Sequence, residues 1–365
     1  MTHTACTTPR LLADEALHEV IRTYVGSRAA DVDACRCTLR QGIAHLAPHG
    51  VVDLGVFGRD TPADFERMCE VVATVALDDM SQAFALWAHR MAIEYVHQAD
   101  AGAEGRRDLL AQLADASVLG STSFASATAN ALAGTPLPLT FRRAAGGGIV
   151  VSGRIPWASN LEAPFVSVAA AANADDPTDR VVFAYDAGTP GLELPAAPRL
   201  LALQATASTS PRFHDASIAP AAILTREFLV FVRRVFPTFL LLQCAFCWGL
   251  ARRGLAEAED AMRGPADVLR EDLLTLQAEV DAFEGRVRGM ARHDDRATLP
   301  TRDLLEVRLR AGRLAVEAVA LEAKVAGGRG YLLDSGTARR LREAAFLPVQ
   351  APTEVQLRWL LSHSV

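Results

Sequence analysis

The chain has 365 residues, is 50% hydrophobic and carries a formal net charge of −6. That length and apolar content suit a globular protein of two or three domains and exclude a disordered chain. The acidic balance, with no basic stripe, argues against a nucleic-acid binder, and six cysteines in 365 residues form no disulfide framework.

The first ten residues lack the apolar stretch of a signal peptide, so a cytoplasmic location is expected. Residues 11–25 and 32–46 carry apolar side chains at three- and four-residue spacings, which predicts two helices. Residues 64–75 continue the pattern, with Pro62 near the start. Residues 77–96 predict a long, mostly apolar helix that is buried. It contains Trp87, His89 and Tyr95, which either line a cavity or pack and hydrogen-bond internally. His45 and His49 lie four apart, but Pro48 interrupts the helix that would align them, so no metal site is expected.

From about residue 118 the character changes. Strand-like runs recur at 139–143, 149–151, 165–170, 181–185 and 211–213, separated by turn signals such as Gly146-Gly147-Gly148. They predict a small domain of antiparallel strands. Ser152-Gly153 reads as a tight turn, with a second strand starting at Arg154. Beyond it, Trp157 and Ser159 are two residues apart and so share a face of an extended chain. That face offers a flat ring beside a hydroxyl, a pairing suited to a flat, polar-edged cofactor.

From residue 226 helices return, at 239–262, 269–292 and from 301 to about 326. Thr301 is expected to cap the third. Shorter helices follow near 336–345 and 353–362. The most apolar stretch, 228–250, is broken by Arg233, Arg234 and Pro237, which leaves about 13 uninterrupted residues against the ~20 of a membrane span. Cys244 and Cys247 lie inside it and read as core residues rather than as a redox or zinc pair.

Three motifs in order carry a resemblance to a known family. Gly153-Arg154-Ile155-Pro156-Trp157-Ala158-Ser159-Asn160 is similar to Gly-x-Lys-x-Trp-Ile-Thr-Asn of the acyl-CoA dehydrogenases. Ala326-Gly327-Gly328-Arg329-Gly330-Tyr331 resembles that family's Phe-Gly-Gly-x-Gly-Tyr, and Thr353-Glu354-Val355-Gln356 its Ser-Glu-Ile-Gln. The resemblance implies an α+β fold with an N-terminal helical domain at 1–117, an antiparallel β domain at 118–225 and a C-terminal helical bundle at 226–365. It implies FAD as cofactor, an acyl thioester on CoA or a carrier protein as substrate, and assembly as a homodimer or homotetramer.

Carried over residue by residue, the resemblance puts Trp157 and Ser159 against the flavin ring, with Thr122, Thr128, Lys324, Gly327 and Gly328 as further cofactor contacts. The catalytic carboxylate is missing. The family's Tyr-Glu-Gly-Thr aligns with Val349-Gln350-Ala351-Pro352, so Gln350 takes the place of the glutamate, and an amide accepts no proton at neutral pH. The family's other location for that glutamate aligns with Phe239. The flavin-contacting loop also departs from the family at 121–129, where its glutamate, proline, glycines and aspartate are absent. Three readings follow. One is a flavoenzyme oxidising an acyl thioester by an atypical route. Another is a monooxygenase of the same fold fed by a partner flavin reductase, with His89, Tyr95 and Ser159 near the oxygen adduct. The third is a catalyst or binding module that has lost flavin, whose binding the altered loop would weaken.

Overall fold

A computed structural model describes residues 9–100 and 105–363, so the reading of the extreme N-terminus, including Cys6, lies outside the described residues. Helices come first: α1 (Glu15–Asp33), α2 (Leu39–Leu46), α3 (Pro62–Ala76), α4 (Met80–His97) and α5 (Arg106–Ala114). The first break in the helical pattern falls after Asp33 rather than near residue 26, so α1 runs on through its buried Ala29 and Val32. Thr61 and Asp64 close a capping box at the start of α3, and Asp79 caps α4 through its side chain.

The strands follow: β1 (Leu119–Thr122), β2 (Leu139–Arg143), β3 (Ile149–Arg154), β4 (Phe165–Asn173), β5 (Arg180–Asp186), β6 (Leu192–Glu193), β7 (Arg212–Ile218) and β8 (Ile223–Thr225). They form one sheet in the order β6-β7-β3-β2-β4-β5-β8. The sheet is mixed, not antiparallel throughout. Both β1 and β2 pair parallel with β4, β1 along residues 165–168 and β2 at Ala172 and Asn173. Ser152-Gly153 is no turn between strands. β3 runs straight through to Arg154, and the pair makes a bulge against β7, with Gly153 at φ 130°. A helix, α6 (Ala125–Ala133), interrupts the strands between β1 and β2. Its five alanines among nine residues are the strongest helix formers.

The C-terminal helices are α7 (Phe228–Ala261), α8 (Arg270–Ala291), α9 (Thr301–Ala326), α10 (Gly336–Phe346) and α11 (Glu354–Ser362). α7 begins well before residue 239 and contains Pro237 in its interior. The proline removes one backbone donor, worth about 3 kcal/mol. Burial of the apolar side chains around it on both sides outweighs that loss. α7 is long and apolar enough to cross a membrane, and 78% of its most apolar window is buried here inside the protein. It packs on α3 and α9. Against α3 the approach is so close that a Cβ on Gly249 would lie 2.0 Å from the carbonyl oxygen of Ala73. Thr301 is the first residue of α9 and Pro300 its cap, so Thr301 makes no capping bond. α10 is tied to α9 by a buried pair, Arg340 Nε donating to Glu322 at 2.8 Å while the Thr337 hydroxyl donates to the same carboxylate at 2.6 Å.

Candidate functional site

A cavity of about 570 Å³ lies where the strand region meets the later helices. The segment after β3 supplies one wall. There Ala158 exchanges two backbone bonds with Thr209, at 2.9 and 3.0 Å, and Asn160 N–H reaches the Thr206 carbonyl. The Asn160 side chain donates to Gly120 O at 2.7 Å, and the Ser121 hydroxyl donates to Ser159 O at 2.6 Å. The segment is therefore fixed on both sides. Trp157 and Ser159 line the cavity together, as their two-residue spacing requires. The Trp157 ring is 57% exposed, so its face is available to a ligand.

The hydroxyl of Ser159 meets that of Ser208 at 2.7 Å, Ser208 meets Thr206 at 2.7 Å, and Thr206 donates to Leu203 O at 2.6 Å. A carbonyl only accepts, so the protons of this chain run toward Leu203 and Ser159 turns a lone pair outward.

Four aromatic side chains, Phe84, Trp87, Phe239 and Phe346, make the apolar part of the wall. Trp87 stacks on Phe84 and donates its indole N–H to Phe239 O at 3.1 Å. Phe239 thus lines the cavity itself. Gln350, on the loop between α10 and α11, does so too, and is 4% exposed. Arg342 is the one charged side chain in the wall among the described residues. It pairs with Asp33. No Asp, Glu or His lines the cavity among the described residues.

Several predicted site residues lie elsewhere. His89 is fully buried behind β1. Its Nε2 donates to Leu113 O at 2.8 Å and its Nδ1 accepts from Gly120 N–H at 2.9 Å. Both ring nitrogens are used, and burial holds the imidazole down at about 4, so His89 is a neutral structural group and not a member of the cavity. Tyr95 is also buried, its phenol raised by desolvation, and touches only the back of the wall through the hydroxyl of Thr122 at 3.1 Å. Thr122 does line the cavity. Thr128 does not; its hydroxyl donates to Ala125 O at 2.8 Å inside α6. Lys324, Gly327 and Gly328 sit exposed at the C-terminal end of α9, away from this cavity. Glu354 is likewise outside it, paired with Arg313 at 2.9 Å.

The residues that sequence reasoning missed are Phe84, Phe346, Arg342 and the 200–203 segment. Phe84 lies one helical turn before Trp87 and was open to the periodicity argument. The others come from distant parts of the chain.

No family model matches the chain, and no curated protein matches it. Solved structures do. Butyryl-CoA dehydrogenase from Megasphaera elsdenii superposes with a TM-score of 0.84 at 15% identity, over 96% of this chain and 98% of its own. A glutaryl-coenzyme A dehydrogenase in complex with glutaryl-CoA gives 0.84 at 16% identity, over 96% and 95%. FkbI, from biosynthesis of the methoxymalonyl extender unit of a polyketide, gives 0.78 at 17% identity, over 95% and 98%. The fold is that of the acyl-CoA dehydrogenases. Within this acyl-CoA dehydrogenase fold the cavity is a candidate site for a flavin ring. An exposed indole face, an apolar surround and the polar edge of Thr122 and Ser159 fit such a ring.

Proposed function

We propose that this protein is a flavin-dependent oxidoreductase acting on an acyl thioester, carried on CoA or on a carrier protein, without a carboxylate base at position 350. The observation that carries the reading is one apolar cavity lined together by Trp157, Ser159 and Gln350. The neighbouring folds named as acyl-CoA dehydrogenases support the thioester. Trp157 would hold the ring by stacking, and Thr122 and Ser159 would meet its polar edge. Phe84, Trp87, Phe239 and Phe346 would exclude water and receive an acyl chain. FAD bound there would supply a two-electron acceptor.

The test is anaerobic mixing of FAD-loaded protein with butyryl-CoA and with longer and dicarboxylic acyl-CoAs. Bleaching of the visible flavin band supports the reading, and a band unchanged by every thioester defeats it.

The same wall favours a second reading. With no carboxylate or imidazole in it among the described residues, an α-proton meets no side-chain acceptor of suitable basicity there. A monooxygenase that receives reduced flavin from a partner reductase needs no such base. It predicts oxygen consumption when reduced flavin is supplied, and no bleaching by thioesters. Loss of flavin chemistry altogether predicts neither.

Self-association as a homodimer or homotetramer belongs to the same proposal. The exposed apolar side chains of the C-terminal segments, Tyr331, Leu332, Leu333, Val355 and Trp359, support it. A cytoplasmic location rests on the sequence alone.

A further inference from the structure

We infer that Gln350 is a hydrogen-bond donor to the ligand of this cavity, its Nε2 binding the carbonyl oxygen of an acyl thioester, and that Arg308 fixes it in that polarity. The inference deepens the proposed function and rests on its thioester substrate.

The argument starts from Arg308 in α9. Its guanidinium is 1% exposed, and no ion pair to it is found among the described residues. Its neighbours are neutral acceptors. Nε donates to Gln243 Oε1 at 2.7 Å, and Nη2 donates to Gln350 Oε1 at 3.0 Å and to Leu347 O at 3.4 Å. Gln243 is held in turn by its own amide, which donates to Ala351 O at 3.1 Å.

A guanidinium carries only donors. Gln350 must therefore turn its oxygen to Arg308, and the flipped amide is excluded because it would set N–H against N–H. Its NH2 group is left on the other side. That nitrogen is buried and has no partner among the described residues. Gln350 itself lines the cavity. A buried donor without a partner is destabilising, and a ligand acceptor would offset that cost.

The polarity is the reverse of what a general base offers. A carboxylate accepts a proton, whereas this amide gives N–H to an oxygen. The unneutralised positive charge of Arg308 behind it reinforces the preference for an electron-rich oxygen. A thioester carbonyl, which gains negative charge when its α-carbon is activated, matches both features. Gln350 is then a binding and polarising residue, and the proton must leave the substrate by another route or not at all.

The experiment is isotope-edited infrared spectroscopy of butyryl-CoA carrying 13C at the thioester carbonyl, bound to wild type, Gln350→Leu and Gln350→Glu. Wild type should bind it with the carbonyl stretch moved to lower frequency than in water. Gln350→Leu should abolish that displacement and weaken binding roughly three- to tenfold, the equivalent of one net hydrogen bond. Gln350→Glu guards against misfolding, because it keeps an acceptor for Arg308. It too should lose the displacement, since an ionised carboxylate cannot donate.

An unshifted carbonyl in wild type, an unchanged displacement in Gln350→Glu, or failure of wild type to bind butyryl-CoA overturns the inference. So does a thioester spectrum indifferent to position 350 combined with a shifted flavin absorption in substrate-free Gln350→Glu, which would assign the amide to the flavin. Flavin content measured on the same samples separates the two levels. Wild type that shows the displaced carbonyl but holds no flavin keeps this inference and defeats the flavin reading. Wild type that holds flavin and is bleached without the displacement does the reverse.

Discussion

Replacing His89 by leucine should destabilise the protein at neutral pH and remove part of its sensitivity to acid. At neutral pH the substitution leaves the buried Gly120 N–H without its acceptor and takes one of several donors from the Leu113 carbonyl, which keeps the Ala116 N–H at 3.1 Å. With one buried donor left unsatisfied, the loss is about 1–3 kcal/mol. The pH dependence follows from the depressed imidazole, held at about 4 by burial against an ordinary 6.5. Above pH 6.5 His89 is neutral in both the folded and unfolded chain, and its titration contributes nothing. Below it the unfolded chain takes up a proton that the folded chain refuses, so stability falls until the folded value is reached. Between about pH 7 and about pH 4.5 that loss is roughly 2.5 kcal/mol. Leucine has no such term, so the stability gap between variant and wild type should narrow by that amount across the same window. Asp79 and Glu343, whose carboxyls burial pushes up, act in the opposite direction as pH falls. They are present in both proteins and cancel in the gap. Urea unfolding of both at the two pH values measures it. NMR of the histidine ring carbons in wild type gives a check that needs no variant. A gap that stays constant, or a His89 resonance titrating near its ordinary value, would refute the buried neutral histidine.

Other substitutions test the packing and the cavity. Gly249→Ala forces a methyl against the Ala73 carbonyl; it should cost about 1–3 kcal/mol or more, seen as a lower melting temperature, and an unchanged melt would mean the α3–α7 approach is looser than described. Glu322→Gln takes from the buried Arg340 its close carboxylate partner and leaves it only Glu257 at 3.6 Å. A loss of about 3–5 kcal/mol in denaturant unfolding is expected, and under 1 kcal/mol would contradict the burial of that pair. Trp157→Ala removes an exposed ring from the cavity wall. It should leave the melt nearly unchanged while weakening FAD binding about 2- to 13-fold, the loss of about 0.5–1.5 kcal/mol of stacking. Equal FAD affinity in the variant would take Trp157 out of the site.

What could be read from sequence was what short-range pattern encodes. The pairing of Trp157 with Ser159 follows from strand periodicity, and both line the cavity. In α4 the same logic separates the residues of one helix. Trp87 faces the cavity, three residues after Phe84. His89 is two residues further, about 200° around the helix, and so faces β1. Tyr95 returns to nearly the phase of Phe84, but 11 residues later it lies about 16 Å along the axis and meets the cavity wall only from behind, through Thr122. The alanines of α6 signalled a helix, and alignment to a family loop obscured them. Parallel pairing of β1 and β2 with β4 leaves no local mark. Neither does the Arg308–Gln243–Gln350 cluster, whose members lie 65 and 42 residues from the arginine in sequence. The 200–203 wall also follows no repeat; Leu203 and Ala207 both take positive φ, which neither residue type announces.

The most direct test of the account is whether flavin stays with the protein. Purified protein incubated with FAD and passed through a desalting column should carry a visible flavin band that co-migrates with it and is reduced in Trp157→Ala. A wild-type protein that emerges colourless, with all the FAD in the small-molecule fraction, would contradict the assignment of this cavity to a flavin ring.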